Sequence, residues 1–415
     1  MAMNCRVWLA AASLAAVGCR GPHDADEPVW DPDELAVYRL EFDERDWESI
    51  LADYDPDDCD ERVWVRATLT YENPMSGKKE VYEDVAVRYR GHNTFVESGV
   101  ERRGYKISFN EFTPGGRFHD LRKINLLGTE GDYTLMRERL ALGLMEDAGV
   151  PAPRINHALL YIDGKFEGVF PNSEEADDEA FVDAHFDGEA GSLYKVKGYC
   201  GHRADLSYEG VDPATYSVTY EPKADTEAED MTGDLIPMLQ CASEPDDATF
   251  AACIEGWLDV DEWLAEIAVD MALPDVDGMA GAGQNFMLWR PEDGRFRVYP
   301  WDKDLSFYLT TLNSGDSSIW TLHPEWLENS QPALVNRLRT VYRERFCAKV
   351  VEVADLYDPD RMGPKVDELE ELLDAKIKRD PFIDHDQWRW SIDDIQETLV
   401  TRHPQILAEA LSCSP

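Results

Sequence analysis

The chain lacks the short signatures that announce common enzymes. It has no GxxxxGK(S/T), no HExxH and no GxSxG, which removes a P-loop phosphate cradle, a zincin helix and a nucleophile elbow. It has no CxxC, and no two of its nine histidines stand at metal-binding spacing, so a zinc knuckle or thioredoxin-type site has no support. Positive charge is scarce: 40 Lys and Arg face 84 Asp and Glu, a formal net charge of -44. Such a surface repels phosphate backbones, which argues against nucleic acid as a partner, and it attracts divalent cations and basic partners. Long apolar runs are missing too; the one near the N-terminus, Val7 to Val17, is too short to span a bilayer. What is present is substantial. The 415 residues are 43% hydrophobic and 11% aromatic, enough to exclude disorder throughout and to bury one large core or two ordinary ones.

Arg6 precedes the apolar run, which ends Ala16-Val17-Gly18-Cys19 and resembles a bacterial lipobox. Residues 1–18 therefore read as a signal peptide, Cys19 as a lipidated cysteine, and 19–34, rich in Asp, Glu, Pro and Gly, as a flexible tether. The expectation is an exported lipoprotein, a monomer held to a membrane by its N-terminal lipid. Arg20 rather than an Asp follows Cys19, which leans toward the outer membrane or cell surface. The cysteines agree with export. With Cys5 and Cys19 set aside, six remain, an even number that suits an oxidising compartment and allows 15 pairings. Cys241–Cys253 would close a local loop, Cys347–Cys413 would tie two C-terminal helices, and Cys59–Cys200 follows by elimination.

Hydrophobic alternation predicts strands over Val37–Phe42, Arg62–Tyr71, Val81–Tyr89 and Tyr105–Phe109, a first stretch of antiparallel sheet, with a short helix opening at Asp43. Asp132 to Ala148 reads as a helix with Asp132 as its N-cap, stopped by Gly149-Val150-Pro151. His157–Ile162 and Phe166–Phe170 form a hairpin across Asp163-Gly164. Ser192–Val196 is a further strand. Lys197 to Gly256 has low order and reads as a disulfide-stapled insertion. Trp257–Leu273 is a helix, and Phe286–Trp289 with Arg295–Tyr299 a hairpin. Helices then cover roughly 331–357, 361–378 and 388–411. The order is sheet, helix, sheet, then mostly helix, which is α+β with two lobes.

The most informative segment is Tyr299-Pro300-Trp301-Asp302-Lys303-Asp304-Leu305-Ser306-Phe307. Two carboxylates alternate at the end of a hairpin. Hard divalent cations need oxygen ligands, and Mg²⁺ takes only one or two carboxylates when phosphates supply the rest. Upstream lie Asp275-Val276-Asp277 and then Asn285. Taken singly, each Asp of so acidic a chain is a turn cap or a solvated charge. The ordered set, an Asp base, an Asn ligand and a later Asp ligand across a hairpin, is the layout of protein-kinase active sites.

At these residues the chain resembles the CotH kinase family, the spore-coat protein H-like atypical kinases. The resemblance runs from about Val37 to Leu411. It rests on Tyr89-Arg90-Gly91, Lys106-Ile107-Ser108-Phe109, Asp132 with Met136-Arg137-Glu138, Asp163-Gly164, Gly168-Val169-Phe170 with Glu174, Leu193-Tyr194-Lys195, and Asn285-Phe286-Met287-Leu288-Trp289 running into Pro300-Trp301-Asp302-Lys303-Asp304. The resemblance implies a two-lobed atypical protein-kinase-like fold over 35–411: an N-lobe of antiparallel sheet plus helix over 35–175, the cysteine-containing insertion over 197–256, and a mostly helical C-lobe over 257–411. It implies ATP and Mg²⁺ or Mn²⁺ as cofactors, and transfer of the γ-phosphoryl group to a secreted or envelope protein. Lys106 would hold the α- and β-phosphates with Glu138 as its ion-pair partner, or Glu146 two turns on. Arg90 and Gly91 would lie near the phosphate-covering loop, and Glu174 could contact the nucleotide where the lobes join. Asp277 would position or deprotonate the acceptor hydroxyl, while Asn285 and Asp302 would hold the metal, with Asp304 in support or on a second metal.

The pattern departs from the ordinary kinase in places. His92-Asn93-Thr94 follow Gly91 where a glycine-rich loop would continue, and no His-Arg-Asp precedes Asn285, so Asp275 stands as an alternative to Asp277. Lys195 competes with Lys106 as the phosphate lysine. Two other functions remain to be weighed: a non-catalytic kinase-like surface lipoprotein that binds an envelope or coat partner, and a cation-binding structural protein using Asp55, Asp57, Asp58 and Asp60.

Overall fold

The computed structural model describes residues 29–52, 62–91, 102–128, 132–198, 203–292, 294–307, 317–320 and 331–413. The signal segment, Cys19, the Cys59–Cys200 pair, His92-Asn93-Thr94 and the acidic loop Asp55–Asp60 lie outside them.

The first half is a closed barrel of β1 (Ala36–Glu41), β2 (Val65–Glu72), β3 (Lys79–Arg90), β4 (Gly104–Ser108), β5 (Lys123–Leu126), β6 (Ile155–Ile162) and β7 (Lys165–Glu174). The helix α1 (Glu44–Ala52) follows β1, and α2 (Arg137–Asp147) lies between β5 and β6. Strand order is β1-β2-β3-β4-β5-β7-β6. The sequence predicts an antiparallel sheet here, and two features close it into a barrel. β5, four residues long and too short to show a period, pairs with both β4 and β7. β1 then pairs parallel to β6, from Ala36 opposite Ala158 to Leu40 opposite Ile162, and closes the ring. Period-2 alternation sends Tyr38, Leu40, Leu69, Tyr71, Val87 and Ile107 inward, where they form a core of their own. The β6–β7 turn is the favoured two-residue type, with Asp163 and Gly164 both left-handed at φ 48° and 80°.

The helix α2 starts five residues later than its sequence suggests, because Leu135 takes φ 62° and breaks the first turn. Asp132 still acts as a cap from a distance: its carboxylate accepts the Thr134 N–H at 2.9 Å and the Arg137 N–H at 3.1 Å. Gly149, at φ 83°, ends the helix as expected.

A second sheet follows, in the order β11-β10-β8-β9: β8 (Gly191–Val196), β9 (Glu221–Lys223), β10 (Phe286–Pro291) and β11 (Arg297–Pro300). The short helix α3 (Glu179–His185) precedes β8. The stretch 197–256 is ordered where low order was expected. It carries α4 (Pro213–Tyr216), α5 (Leu235–Ala242) and α6 (Asp247–Ile254), each started by an Asp whose carboxylate accepts a backbone N–H. Buried residues of this stretch, Met231, Leu239 and Phe250 among them, belong to the main core. The central helix α7 (Val260–Ala272) is buried on nearly every face. The last third is helical: α8 (Ala333–Val341), α9 (Arg343–Leu356), α10 (Pro359–Ile377) and α11 (His385–Ser412). The single helix expected over 331–357 is broken at Tyr342, whose ψ of 36° leaves the helical region.

Cys241–Cys253 and Cys347–Cys413 stand at disulfide distance, each with Cα atoms 5.9 Å apart, as the sequence suggested. Trp388 on α11 is fully buried and donates its indole N–H to the Thr134 carbonyl at 3.0 Å, which fastens the C-terminal helix to the start of α2. Replacing it with alanine should cost about 3–5 kcal/mol.

Candidate active site

Pro274 follows the end of α7 and turns the chain into the loop Asp275–Asn285, which β10 then leaves. The hairpin β10–β11 returns the chain to Trp301, whose N–H donates to the Asn285 carbonyl at 3.1 Å. One hairpin thus sets the loop holding Asp277 beside the segment holding Asp302 and Asp304. Asn285 and Asp302 both take left-handed backbone angles, φ 58° and 60°, which short polar side chains tolerate and which tend to cluster at functional sites.

The side chains meet there. Asn285 donates its amide to Asp277 Oδ2 at 2.9 Å, and the Gln284 amide holds Asp277 Oδ1. Burial, and after it the charges of Asp275 and Asp302, raise the Asp277 carboxyl to about 6. Burial and then Asp302 hold the Glu138 carboxyl, on the first turn of α2, at about 8, while Arg90 pulls the other way. Burial raises Asp302 also, opposed by Arg90 and Lys195. Asp304 is pushed well up by burial and then by Asp302, Glu138, Asp132 and Asp277. Carboxylates that raise one another in this way are short of positive charge, and a bound cation would relieve them.

The lysines take partners the sequence did not indicate. Lys106 on β4 pairs with Glu175 at 2.6 Å, not with Glu138, and Glu146 is exposed on the far side of α2. Burial, the largest influence, lowers the Lys106 ammonium to about 8 against the pull of Glu175 and Asp177. Lys195 on β8 pairs with Asp177 at 2.8 Å and lies 4.3 Å from the centre of the Trp301 ring. Burial works against the Asp177 charge, but Lys195, Lys106 and Lys223 outweigh it and hold the carboxyl well below its usual range. Lys106 and Lys195 therefore both act on Asp177. Glu174 is turned away from that row: Arg154 at 2.6 Å and His185 at 2.9 Å enclose it. Arg90 and Gly91 sit at the end of β3, Arg90 opposite Gly104 and Gly91 at φ 83°.

Two buried cations brace the site. The Lys303 ammonium lies 2.7 Å from Asp270 and 2.7 Å from Asp275. Arg137 donates to the Ser306 carbonyl at 3.2 Å and the Phe307 carbonyl at 2.6 Å and pairs with Asp394 at 3.1 Å, so α2, the end of the Asp302–Phe307 segment and α11 share one guanidinium. Neither role was read from the sequence, nor were those of Glu175 and Asp177. The one available signal was the acidic run Glu174-Glu175-Ala176-Asp177-Asp178 in a chain where lysine is the minority cation.

Among the described residues, no group of three or more His, Cys, Asp and Glu side chains is arranged to hold a metal ion by itself, and no helix is long and apolar enough to cross a membrane. Asn285, Asp302 and Asp304 would offer oxygen donors of the sparse kind that Mg²⁺ uses when phosphates complete its shell. That chemistry, with the charge deficit around Asp304, fits a divalent cation.

The family model for the CotH kinase protein matches residues 87–405. The inner spore coat protein H of Bacillus subtilis (strain 168) is 27% identical over 225 residues, 54% of this chain and 59% of that protein, so the match spans less than two thirds of its length. Among solved structures, the Helicobacter pylori proinflammatory kinase CtkA is similar at 10% identity, covering 77% of this chain and 96% of that one, with a TM-score of 0.37. HipA and HipB of the Shewanella oneidensis MR-1 toxin–antitoxin system, solved with operator DNA, give a match at 11% identity over 78% of this chain and 69% of that one, with a TM-score of 0.40.

Proposed function

We propose, from the premise that the chain belongs to the CotH kinase protein family, that it transfers the γ-phosphoryl group of ATP to a hydroxyl on a secreted or envelope protein. The observation that carries this reading is the meeting of Asp277, Asn285, Asp302 and Asp304 on one side of a hairpin, with Lys106 and Lys195 converging on Asp177. Phosphoryl transfer asks the protein mainly for positioning and charge. Lys106, Lys195 and Arg90 would face the phosphates. Asn285 and Asp302, with Asp304 beside them, would hold Mg²⁺ or Mn²⁺, which when bound offsets the phosphate charge. Glu138 joins this acidic group instead of the lysine, whose pairing role passes to Glu175.

Asp277 would orient the acceptor hydroxyl. As the hydroxyl oxygen bonds to the γ-phosphorus, its proton passes to Asp277, the bond to the bridging oxygen breaks, and ADP leaves. A carboxyl raised to about 6 is a better proton acceptor than an ordinary aspartate and is still ionised at neutral pH. The side chain's two amide contacts favour Asp277 over Asp275, whose carboxylate is committed to Lys303.

The test is autophosphorylation, or phosphorylation of a generic acceptor, with ATP and Mg²⁺ or Mn²⁺. Asp302→Ala should abolish transfer, and Glu371→Ala, on the exposed face of α10, should not. Failure of transfer together with no nucleotide-dependent shift in melting temperature with any divalent ion would sink the reading. We further propose export as a lipoprotein through Cys19. A mature N-terminal peptide whose mass lacks acyl chains on that cysteine would refute it.

A further inference from the structure

We infer that Lys303 is a positioning residue that fixes Asp277 relative to Asp302 and Asp304; this rests on the phosphotransfer reading above. Lys303 lies between two half-buried acids in sequence, yet its own side chain is completely buried. Its ammonium bridges Asp270 Oδ1, on the last turn of α7, and Asp275 Oδ2, at 2.7 Å each. The second oxygen of each acid is also used. Asp275 Oδ1 accepts the N–H of Asp277 at 3.0 Å, and Asp270 Oδ2 accepts the N–H of Ala280 at 3.0 Å. One ammonium therefore holds two carboxylates, and those carboxylates hold the backbone on both sides of Gly278.

Gly278 itself lies against the cluster. A Cβ there would come 2.6 Å from Asp270 Oδ2, 2.6 Å from Asp275 Oδ2 and 2.7 Å from Lys303 Nζ. The loop is thus seated directly on the lysine. Glu266, four residues before Asp270 and fully buried, has no hydrogen-bond partner at either oxygen among the described residues, and Lys303 is the positive charge that offsets it. Asp302 and Asp304 flank Lys303 along the chain, so its two ion pairs tie their backbone to the loop that carries Asp277. A misplacement of about 1 Å can cost about 100-fold in rate.

The experiment compares Lys303→Met and Gly278→Ala with the wild-type chain. Three quantities are read: kcat and KM for ATP, Mn²⁺ affinity by electron paramagnetic resonance without turnover, and amide hydrogen exchange of a peptide covering 274–286. For Lys303→Met, kcat should fall about 100-fold, with KM and Mn²⁺ affinity each within about threefold, and exchange should speed in 274–286 but not in β1–β3. Gly278→Ala keeps every charge and should give the same split; it carries the test if Lys303→Met does not fold. Unchanged exchange in 274–286, or loss of Mn²⁺ affinity in step with kcat, would overturn the inference. Faster exchange in a chain whose wild type transfers no phosphate would overturn the phosphotransfer reading, and the catalytic half of this inference with it.

Discussion

Raising the pH through 8 should weaken nucleotide capture, and Lys106 is the reason. Its ammonium, ordinarily near 10.5, is lowered to about 8 by burial in the wall of the barrel. At pH 9 about nine-tenths of it would be uncharged, so kcat/KM for ATP should fall about tenfold, and a further tenfold by pH 10. Bound phosphates would stabilise the charged form, so the alkaline limb of kcat itself should lie higher than that of kcat/KM. Stability should move the opposite way. Between pH 8 and 10.5 the unfolded chain holds this proton and the folded chain has released it, so the Lys106 contribution to stability rises with pH across that window, by about 3 kcal/mol in all. Loss of capture without loss of melting temperature is therefore the expected signature. The assay is kcat/KM for ATP from pH 7 to 10, with thermal melts at each pH and Lys106→Arg alongside. The arginine stays charged and should flatten the limb. A wild-type profile flat to pH 9.5, or a limb that survives Lys106→Arg, would refute the reasoning.

Four shorter predictions concern other groups. Below pH 6 the rate should fall about tenfold per unit as Asp277 protonates, and Asp277→Asn should lose about 10²–10⁴ in kcat; a variant that stays active while Asp275→Asn is dead would move the base to Asp275. Mn²⁺ binding at pH 7 should release protons, since Glu138 is held near 8 and Asp304 is pushed well up, so calorimetry in two buffers should give different heats, and Glu138→Gln should shrink the difference. Glu174→Gln should destabilise by about 3–5 kcal/mol at neutral pH. Burial raises that carboxyl, but His185 and Arg154 bring it down to about 2, so its contribution is full above 4.5, vanishes as pH falls through 2, and the melting difference should vanish with it. Cys347→Ser, which opens a bridge 66 residues apart in sequence, should cost about 4 kcal/mol, read by urea titration, and no change in midpoint would count against the bridge.

How far the fold could be read from the sequence depended on how local its causes are. The Asp163-Gly164 turn, the alternation of β1 to β4 and the Gly149 stop are written in adjacent residues, and the structure agrees with them. Barrel closure is not, because the pairing of β1 with β6 joins residues about 120 positions apart and leaves no mark on either strand. The same division runs through the site. Asp277, Asn285 and Asp302 were legible because a hairpin brings a short stretch of chain back on itself. The partners of Lys106 and Lys195 were not, since Glu175 and Asp177 arrive from the end of β7, and one acid in an acidic run looks like another until the strands are placed. Lys303 was visible as part of a motif, but whether it faced outward or inward depended on burial that no spacing records.

The sheet β11-β10-β8-β9 has a consequence for how an acceptor protein can approach. A closed barrel offers no free strand edge, and among the described residues this sheet has two. Both are short, three residues in β9 and four in β11, and each carries a proline, Pro222 and Pro300. A proline lacks the N–H that a visiting strand would need, and so few residues give little length to pair with. Among the described residues, these edges therefore disfavour a partner segment that would extend this sheet as an added strand. Under the phosphotransfer proposal, an acceptor near Asp277 would then be held through side chains and loops rather than as β-structure added to this sheet.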